Sequence, residues 1–150
     1  MMENLDEKDS KILELLKQDS SMSTRQIAKK TLIPITTVHH RIRKLKAEKY
    51  IKNYTVEIDH KKIGRGFTAI ILVSCDYKTL REAKKDQHML AKQISKMHEV
   101  EKVDIVTGGT DMVVRVRVKD VEEYDAFLLK KFQNIQGIDK TQSLIVIHEN

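Results

Sequence analysis

Two hydrophobic periodicities divide this sequence. Up to about residue 48, the apolar residues recur every three or four positions, which is the period of amphipathic α-helices. From residue 67 onward, β-branched runs alternate with further helical stretches. The order of those later segments is β-α-β-β-α-β, which is the order of a ferredoxin-like unit. A chain of 150 residues with this pattern is predicted to be an α+β protein built from two small domains.

The front of the chain is predicted to form three helices. Asp6 is a suitable N-cap for the first helix, which ends near Gln18. Ser23 and Gln26 form a capping-box pattern at the start of the second. After a short break, a third helix is predicted from about Ile35 to residue 48. A short helix, a tight turn and a longer basic helix are typical of a helix-turn-helix.

Positive charge is concentrated in the same part of the chain. Residues 1–62 carry 14 Lys and Arg against 9 Asp and Glu, whereas residues 63–150 carry 14 against 13. A clustered positive field favours a polyanionic partner, with nucleic acid first and a membrane surface second. The alternative is an ordinary three-helix module with a solvated basic face.

The third predicted helix carries the side chains that we assign to DNA. Val38, Ile42 and Leu45 form its inner stripe, so the other positions point to solvent or lie on the flanks. Small polar side chains near its start suit base edges, and basic side chains further along suit phosphates or guanine edges. The predicted DNA-binding residues are Thr36, Thr37, His39, His40, Arg41, Arg43, Lys44, Lys46 and Lys52.

These patterns divide the sequence into two domains and a linker. Residues 1–53 are predicted to be the helix-turn-helix DNA-binding domain, and residues 67–150 the ferredoxin-like domain. Residues 54–66 join them as a strand and hinge linker, because an alternating run at 54–58 precedes a polar segment that contains glycine. A wing-like turn at 50–54 is expected to lead into that short strand.

The ferredoxin-like domain is predicted to begin with a strand over residues 67–76. That strand is apolar on both faces, and the two helices cover one face of the sheet only. An uncovered apolar face needs a partner, and a second copy of the same sheet is the simplest one. Further along, one helix is predicted over 80–97, another from Asp120 to Phe132, and the last strand over 144–147.

The whole pattern resembles the Lrp/AsnC family of prokaryotic transcription regulators, also called feast/famine regulatory proteins. The resemblance implies a winged-helix-like DNA-binding domain joined by a hinge to a ferredoxin-like effector-sensing domain. It also implies dimers that often assemble into octamers, and amino acids as typical effectors. Five segments in the same order carry it: Leu5 to Asp9, Thr37 to Leu45, Ile58 to Gly64, Val106 to Val114, and Gln136 to Val146.

In the family, the effector lies near a glycine-containing turn, where dimers meet. An amino acid needs N–H donors for its carboxylate and an anionic or carbonyl acceptor for its ammonium group. Glycine lets the backbone approach the ligand, and Asp111 supplies an anion. An ordinary hairpin turn is the alternative for Gly108-Gly109. The effector residues implied by the resemblance are Thr107, Gly108, Gly109, Thr110, Asp111, Gln142 and Ser143.

Two places depart from the family pattern. Ile33-Pro34 stands where a hydroxyl residue usually caps the recognition helix, so that cap is absent and Thr36 is the alternative. Gly109 and Thr110 stand where a charged or aromatic residue is usual, so the family pattern does not identify the effector.

Other classes of protein fit the sequence less well. It has no glycine-rich phosphate cradle, no Ser/His/Asp arrangement and no clustered histidines, so no enzyme, cofactor or metal site is predicted. An RNA-recognition module needs aromatic residues on its central strands, and the predicted strand over 112–118 has none. The main alternative is a small-molecule sensor or assembly adaptor that does not bind DNA.

The sequence therefore predicts a sequence-specific DNA-binding regulator. Its expected partners are double-stranded promoter DNA with a roughly palindromic site, further copies of the chain, and an amino-acid effector. No membrane span or signal peptide is predicted, and the single Cys75 is consistent with a cytoplasmic protein.

Overall fold

The structure is a computed structural model that describes residues 5–149. The chain divides into two compact units between Ile58 and Asp59. We call the first the helix-turn-helix unit and the second the sheet unit. The division falls inside the segment 54–66 that the sequence assigns to the linker.

The helix-turn-helix unit contains the three predicted helices: α1 (Glu7–Gln18), α2 (Thr24–Thr31) and α3 (Ile35–Ala47). The predicted caps of α1 and α2 are confirmed, because Asp6 and Ser23 each take part in a capping box. The apolar faces of the helices meet in one small core, formed by the buried residues Ile12, Leu16, Ile27, Ile33, Val38 and Leu45.

The turn between α2 and α3 has no side-chain cap. Leu32 ends α2 in the left-handed conformation, with φ of 57°, and Pro34 occupies the N-cap position of α3. Within the described residues no side chain caps the first turn of α3, as expected from the proline at this position. The alternative cap, Thr36, is wrong, because α3 already begins at Ile35 and Thr36 lies inside the helix.

The strand expected at 54–58 is absent, and so is the strand that the wing-like turn at 50–54 should enter. Residues 50–58 form neither helix nor strand. Alternating side chains predict a strand only where another strand can pair with its backbone, and the described part of this unit contains helices alone. The chain instead turns back after α3, where the Ile51 N–H donates to the Leu45 carbonyl.

The sheet unit is built on four antiparallel strands in the spatial order β2-β3-β1-β4. Strand β1 lies centrally and pairs with both β3 and β4. This arrangement confirms the predicted α+β class and the β-α-β-β-α-β order. The strands are β1 (Phe67–Cys75), β2 (Val100–Ile105), β3 (Met112–Val118) and β4 (Ile138–Ile145).

The single helix expected over 80–97 is two shorter helices, α4 (Tyr77–Glu82) and α5 (Gln87–Ile94). Lys84 between them has φ of 54°, which interrupts a right-handed helix. Asp86 then caps α5 by accepting a hydrogen bond from the Met89 N–H at 2.7 Å. Hydrophobic spacing does not locate this break, because residues 81–88 contain one apolar residue, Ala83, and so give no apolar period across it.

The sequence boundaries of the last helix agree with the structure, whereas those of the last strand do not. The last helix, α6 (Val121–Phe127), continues as a π-helical turn to Phe132, as far as the predicted helix. Strand β4 begins at Ile138, six residues before the predicted 144–147. The first half of β4 is largely polar. It is nevertheless a strand, because the backbone of β4 pairs with residues 69–75 of β1.

The two faces of the sheet differ in chemistry. The helices cover one face, where Ala69, Ile71 and Val73 of β1 are fully buried. The opposite face, which we call the open face, carries a partly exposed apolar patch of Ile70, Leu72, Val113 and Leu144. It also carries an ion network of Arg115 and Arg117 with Glu101 and Glu149.

Candidate nucleic-acid interface and effector turn

The exposed face of α3 is polar at its start and basic in its second half. Val38 and Leu45 are buried, and Ile42 packs partly against them, so the predicted inner stripe is confirmed. Among the predicted DNA-binding residues, Thr37 and Arg41 are half-buried. The exposed ones are Thr36, His39, His40, Arg43, Lys44, Lys46 and Lys52.

Small polar and imidazole side chains cluster at the start of α3. Thr36, His39 and His40 line a shallow surface groove together with Thr24 and Ile35. The two imidazole rings lie edge to face, with their centroids 6.1 Å apart. This end of the helix therefore presents hydrogen-bond donors and acceptors, with few bulky groups between them and solvent.

Arg41 is tied into the unit by two carboxylates at the start of α1. Its guanidinium Nη1 lies 2.5 Å from Asp6 Oδ2 and 2.9 Å from Asp9 Oδ1. The Asp9 side chain is only 2% exposed, so this ion pair is largely shielded from water. The pKa of Asp6 is lowered mainly by the hydrogen bond from the Asp9 N–H, and further by the hydrogen bond from the Arg41 guanidinium. Arg41 thus joins α1 to α3, a link that the helical spacing did not predict.

The chain after α3 returns along the same unit, beside two of the predicted basic residues. The Lys46 ammonium lies 4.6 Å from the centroid of the Tyr54 ring, a cation–π contact. Ile51 packs partly against the core, and this contact anchors the backbone beside Lys52. The Lys46 side chain is therefore held by local structure and the backbone beside Lys52 is anchored, whereas Arg43 and Lys44 extend from the exposed face.

The predicted effector turn connects β2 to β3. Thr107, Gly108 and Gly109 are exposed, and Gly108 has φ of 129°, a conformation that favours glycine. Among residues 5–149, none accepts a hydrogen bond from the backbone N–H groups of residues 107–110. These N–H groups can therefore donate to a ligand.

The Asp111 carboxylate is already used within the sheet unit. Its Oδ2 accepts a hydrogen bond from the Cys75 N–H, and its Oδ1 accepts one from the Tyr77 hydroxyl, both at 2.7 Å. That hydroxyl contact raises the pKa of Tyr77 to about 12. Burial, with a further contribution from Asp111, raises the pKa of the Cys75 thiol to about 11, so this thiol is a poor nucleophile at neutral pH.

Further hydrogen bonds hold the same end of the turn. The Thr110 hydroxyl and the Asp111 N–H both donate to the Val73 carbonyl, at 2.9 Å each. The Gln87 side chain donates to the Asp111 carbonyl at 2.8 Å. Residues 110 and 111 are thus fixed to β1 and α5, and the exposed part of the turn is 107–109.

The structure does not group Gln142 and Ser143 with the turn. Both lie on β4, at positions opposite Leu72 and Ile71, and β1 separates that strand from β3. Ser143 lies on the helix-covered side, where its hydroxyl is 2.6 Å from the Tyr124 hydroxyl. Gln142 lies on the open face, so the two side chains point to opposite sides of the sheet.

Two other kinds of feature are missing from the described residues. No group of three or more His, Cys, Asp or Glu side chains within residues 5–149 is arranged to hold a metal ion. None of the helices in that range is long and apolar enough to cross a membrane.

Comparisons with known proteins match both units. A family model described as the Lrp/AsnC ligand-binding domain matches residues 68–150, and one described as winged helix-turn-helix DNA-binding matches residues 5–52. The chain belongs to the Lrp/AsnC family. In this family the first unit binds DNA and the second binds a ligand, so the resemblance found in the sequence is confirmed.

Individual relatives agree with the family assignment. The HTH-type transcriptional regulator FL11 of Pyrococcus horikoshii is 36% identical over 143 residues, which cover 95% of this chain and 89% of FL11. An uncharacterized HTH-type transcriptional regulator of Pyrococcus abyssi is 34% identical over 145 residues, covering 97% and 94% of the two chains. This Lrp/AsnC protein is therefore a DNA-binding transcriptional regulator, in a family of regulators rather than enzymes.

A solved structure confirms the fold over nearly the full length. A transcriptional regulator of Neisseria meningitidis, crystallised with L-methionine, superposes with a TM-score of 0.87 at 23% identity. The match covers 97% of this chain and 92% of that one. The helix-turn-helix followed by a four-stranded sheet is thus the shared architecture.

Proposed function

We propose that this Lrp/AsnC protein binds a roughly palindromic promoter site as a dimer, and that an amino acid modulates the binding. The observation that carries the proposal is the exposed basic face of α3 at the end of a helix-turn-helix. Such a helix enters the major groove with its first residues near the base edges. We place this action in the cytoplasm, because the proposed partner is chromosomal DNA.

The residues of α3 divide by chemistry. Thr36, His39 and His40 are exposed at its start, where they face base edges, and Thr37 lies half-buried beside them. Arg43, Lys44, Lys46 and Lys52 supply positive charge for phosphates, which bind without regard to sequence. Arg41 serves the interface indirectly, because its charge already pairs with Asp6 and Asp9.

The first prediction separates base contacts from phosphate contacts. His40→Ala should cost about 1–3 kcal/mol at particular base pairs, whereas Lys52→Ala should weaken all DNA equally and reduce the salt slope by about one unit. Fluorescence anisotropy on a site selected from random DNA, repeated at several salt concentrations, measures both. Lys92→Ala, which removes an exposed charge from the sheet unit, is the matched control. Equal losses on selected and random DNA for His40→Ala would contradict the assignment.

A second copy of the chain is the proposed partner of the open face. Ile70, Leu72, Val113 and Leu144 form an apolar patch there, and apolar patches on sheets are commonly covered by another sheet. The Arg115, Arg117 and Glu149 network lies beside the patch and gives the interface a defined register. Assembly of such dimers into an octamer is the larger arrangement that the family resemblance implies.

The effector is proposed to bind at the exposed turn. Backbone N–H groups of residues 107–110 are available for a carboxylate, and glycine at 108 and 109 keeps the approach open. Asp111 contributes its remaining lone pairs to the ammonium group while its hydrogen bonds to β1 and Tyr77 hold the turn. The L-methionine in the Neisseria regulator supports an amino acid as the ligand class.

The second prediction tests that site. Gly109 has ordinary φ, and apart from its chain neighbours no atom of residues 5–149 lies within 4 Å of the position that a Cβ would take. Gly109→Val should therefore fold normally while its side chain covers the turn. Calorimetric titration with each of the twenty amino acids should show binding to the natural chain and at least about tenfold weaker binding to the variant, since a Cβ blocks backbone approach. Ser95→Val, at the end of α5, is the control. Unchanged affinity in Gly109→Val would place the ligand elsewhere.

A further inference from the structure

The segment between the two units is much less free than its polar, glycine-containing sequence indicates. Residues 59–66 fold into a compact turn that belongs to the sheet unit. Asp59 Oδ1 accepts hydrogen bonds from the N–H groups of Lys61 and Lys62, at 3.1 and 3.2 Å. The Arg65 N–H donates to the His60 carbonyl at 2.8 Å and closes the turn.

One side chain fixes this turn to the sheet. Arg65 Nη2 donates to the His98 carbonyl at 2.8 Å and to the Arg117 carbonyl at 2.7 Å. These carbonyls lie just before β2 and near the end of β3, so one guanidinium group joins the turn to two neighbouring strands. A hydrogen bond from a charged donor is stronger than one between neutral groups, which suits an anchor.

The other end of the linker is held by the helix-turn-helix unit. The Ser20 hydroxyl donates to the Thr55 carbonyl at 3.2 Å, and the Lys46 ammonium lies over the Tyr54 ring. Between these anchors, Val56 is 77% exposed and Ile58 is 46% exposed. No hydrogen bond joins residues 56–58 to any other part of the described chain.

The free chain between the units is therefore three residues rather than the thirteen of the predicted linker. Four Cα-to-Cα steps lead from Thr55 to Asp59, and they span at most about 14 Å. Were residues 56–66 all free, the twelve steps from Thr55 to Phe67 would span about 40 Å. The folded turn and its anchor at Arg65 together remove roughly two thirds of the possible reach.

We propose that Arg65 is the positioning residue that makes this regulator selective for the spacing between DNA half-sites. Inserting five base pairs moves one half-site by about 17 Å and turns it to the opposite side of the duplex. Two tethers of at most about 14 Å each resist a shift of about 17 Å that is combined with a turn to the opposite side of the duplex, whereas tethers lengthened by release of residues 59–66 follow it more easily. The inference rests on the proposed dimer, because a spacing preference requires two helix-turn-helix units on one assembly.

Limited proteolysis of the full-length chain tests the anchor without reference to the dimer. Lys61 and Lys62 are trypsin sites inside the turn. Trypsin should cut the natural chain slowly there and cut Arg65→Ala at least about tenfold faster, since cleavage follows local opening. Arg81→Ala is the matched control, because it removes an exposed arginine of the same unit that does not contact the turn. If trypsin cut the natural chain at Lys61 and Lys62 as fast as it cuts Arg65→Ala there, the proposal would be overturned.

A binding assay tests the spacing. On a site selected by the natural protein, a five-base-pair insertion should weaken its binding at least about tenfold, and this penalty should fall to about threefold or less in Arg65→Ala. Two glycines inserted after Glu57 should relax the penalty in the same way, which keeps the test valid if Arg65→Ala folds poorly. The role of Arg65 would be refuted if the natural protein is a dimer and still tolerates the insertion. It would also be refuted if both variants keep the full penalty. A monomer by sedimentation would refute the proposed dimer, and the trypsin result would still decide the anchor.

Discussion

Gly137→Ala should destabilise the sheet unit by about 3 kcal/mol, because the added methyl group overpacks the core and imposes backbone strain. A Cβ at this position would lie 2.4 Å from Leu80 Cδ2 and 2.9 Å from Leu80 Cγ. Leu80 is 1% exposed and packs in the core with Leu90, so it has no space to move into. The φ of Gly137 is 103°, which side chains other than glycine rarely adopt.

Gly64→Ala separates the two causes. Gly64 also has positive φ, 76°, but in the described part of the chain no atom beyond its two neighbours lies within 4 Å of the position that a Cβ would take. This variant carries backbone strain without a clash, so its loss should stay near about 1 kcal/mol. Urea unfolding at one protein concentration, with hydrogen exchange of the β1 amides as a local probe, measures both variants. Equal losses would show that the contact with Leu80 relaxes and that strain alone sets the cost.

The sequence predicted those elements whose signals are local. Caps at Asp6 and Ser23, the inner stripe of α3 and the strand β3 all follow from the side chains of a few neighbouring residues. The strand expected at 54–58 and the single helix expected over 80–97 were wrong. A strand depends on a partner elsewhere in the fold, and the break at Lys84 depends on one backbone angle, so neither is visible in hydrophobic spacing.

The predicted site shows the same limit. The exposed residues of α3 followed from the helical period, because exposure is a property of one helix. The helical period did not predict the partners of Arg41 and Asp111, because both residues make hydrogen bonds with residues over 30 positions away. A signal for Arg41 was nevertheless present. At 100° per residue it lies about 40° from the buried Leu45, closer to the core than to the centre of the exposed face.

Arg41→Ala should destabilise the helix-turn-helix unit by about 2 to 3 kcal/mol, because it leaves the Asp9 carboxylate buried without a cation. The pair is 2.9 Å long, and the Asp9 side chain is 2% exposed. Arg43→Ala is the control, since Arg43 is exposed on the same helix and its removal should change stability by less than about 0.5 kcal/mol. Asp9→Asn in the Arg41→Ala background should restore most of the lost stability. Urea unfolding measures this as a double-mutant cycle, with the natural chain, both single variants and the double variant.

The same cycle decides how Arg41 acts on DNA. Without it, the carboxylates of Asp6 and Asp9 remain in the groove that His40 and Lys44 also line, where they repel phosphate. Affinity for DNA should therefore fall in Arg41→Ala and return in part when Asp9→Asn is added, because the second change removes one of the two carboxylates. If Arg41 itself bound a phosphate, changing Asp9 would not restore the affinity. Recovery of DNA affinity in the double variant would show that Arg41 acts by neutralising the carboxylates at the start of α1. A persistent loss of affinity, with a salt slope reduced by about one unit, would show that Arg41 binds a phosphate directly.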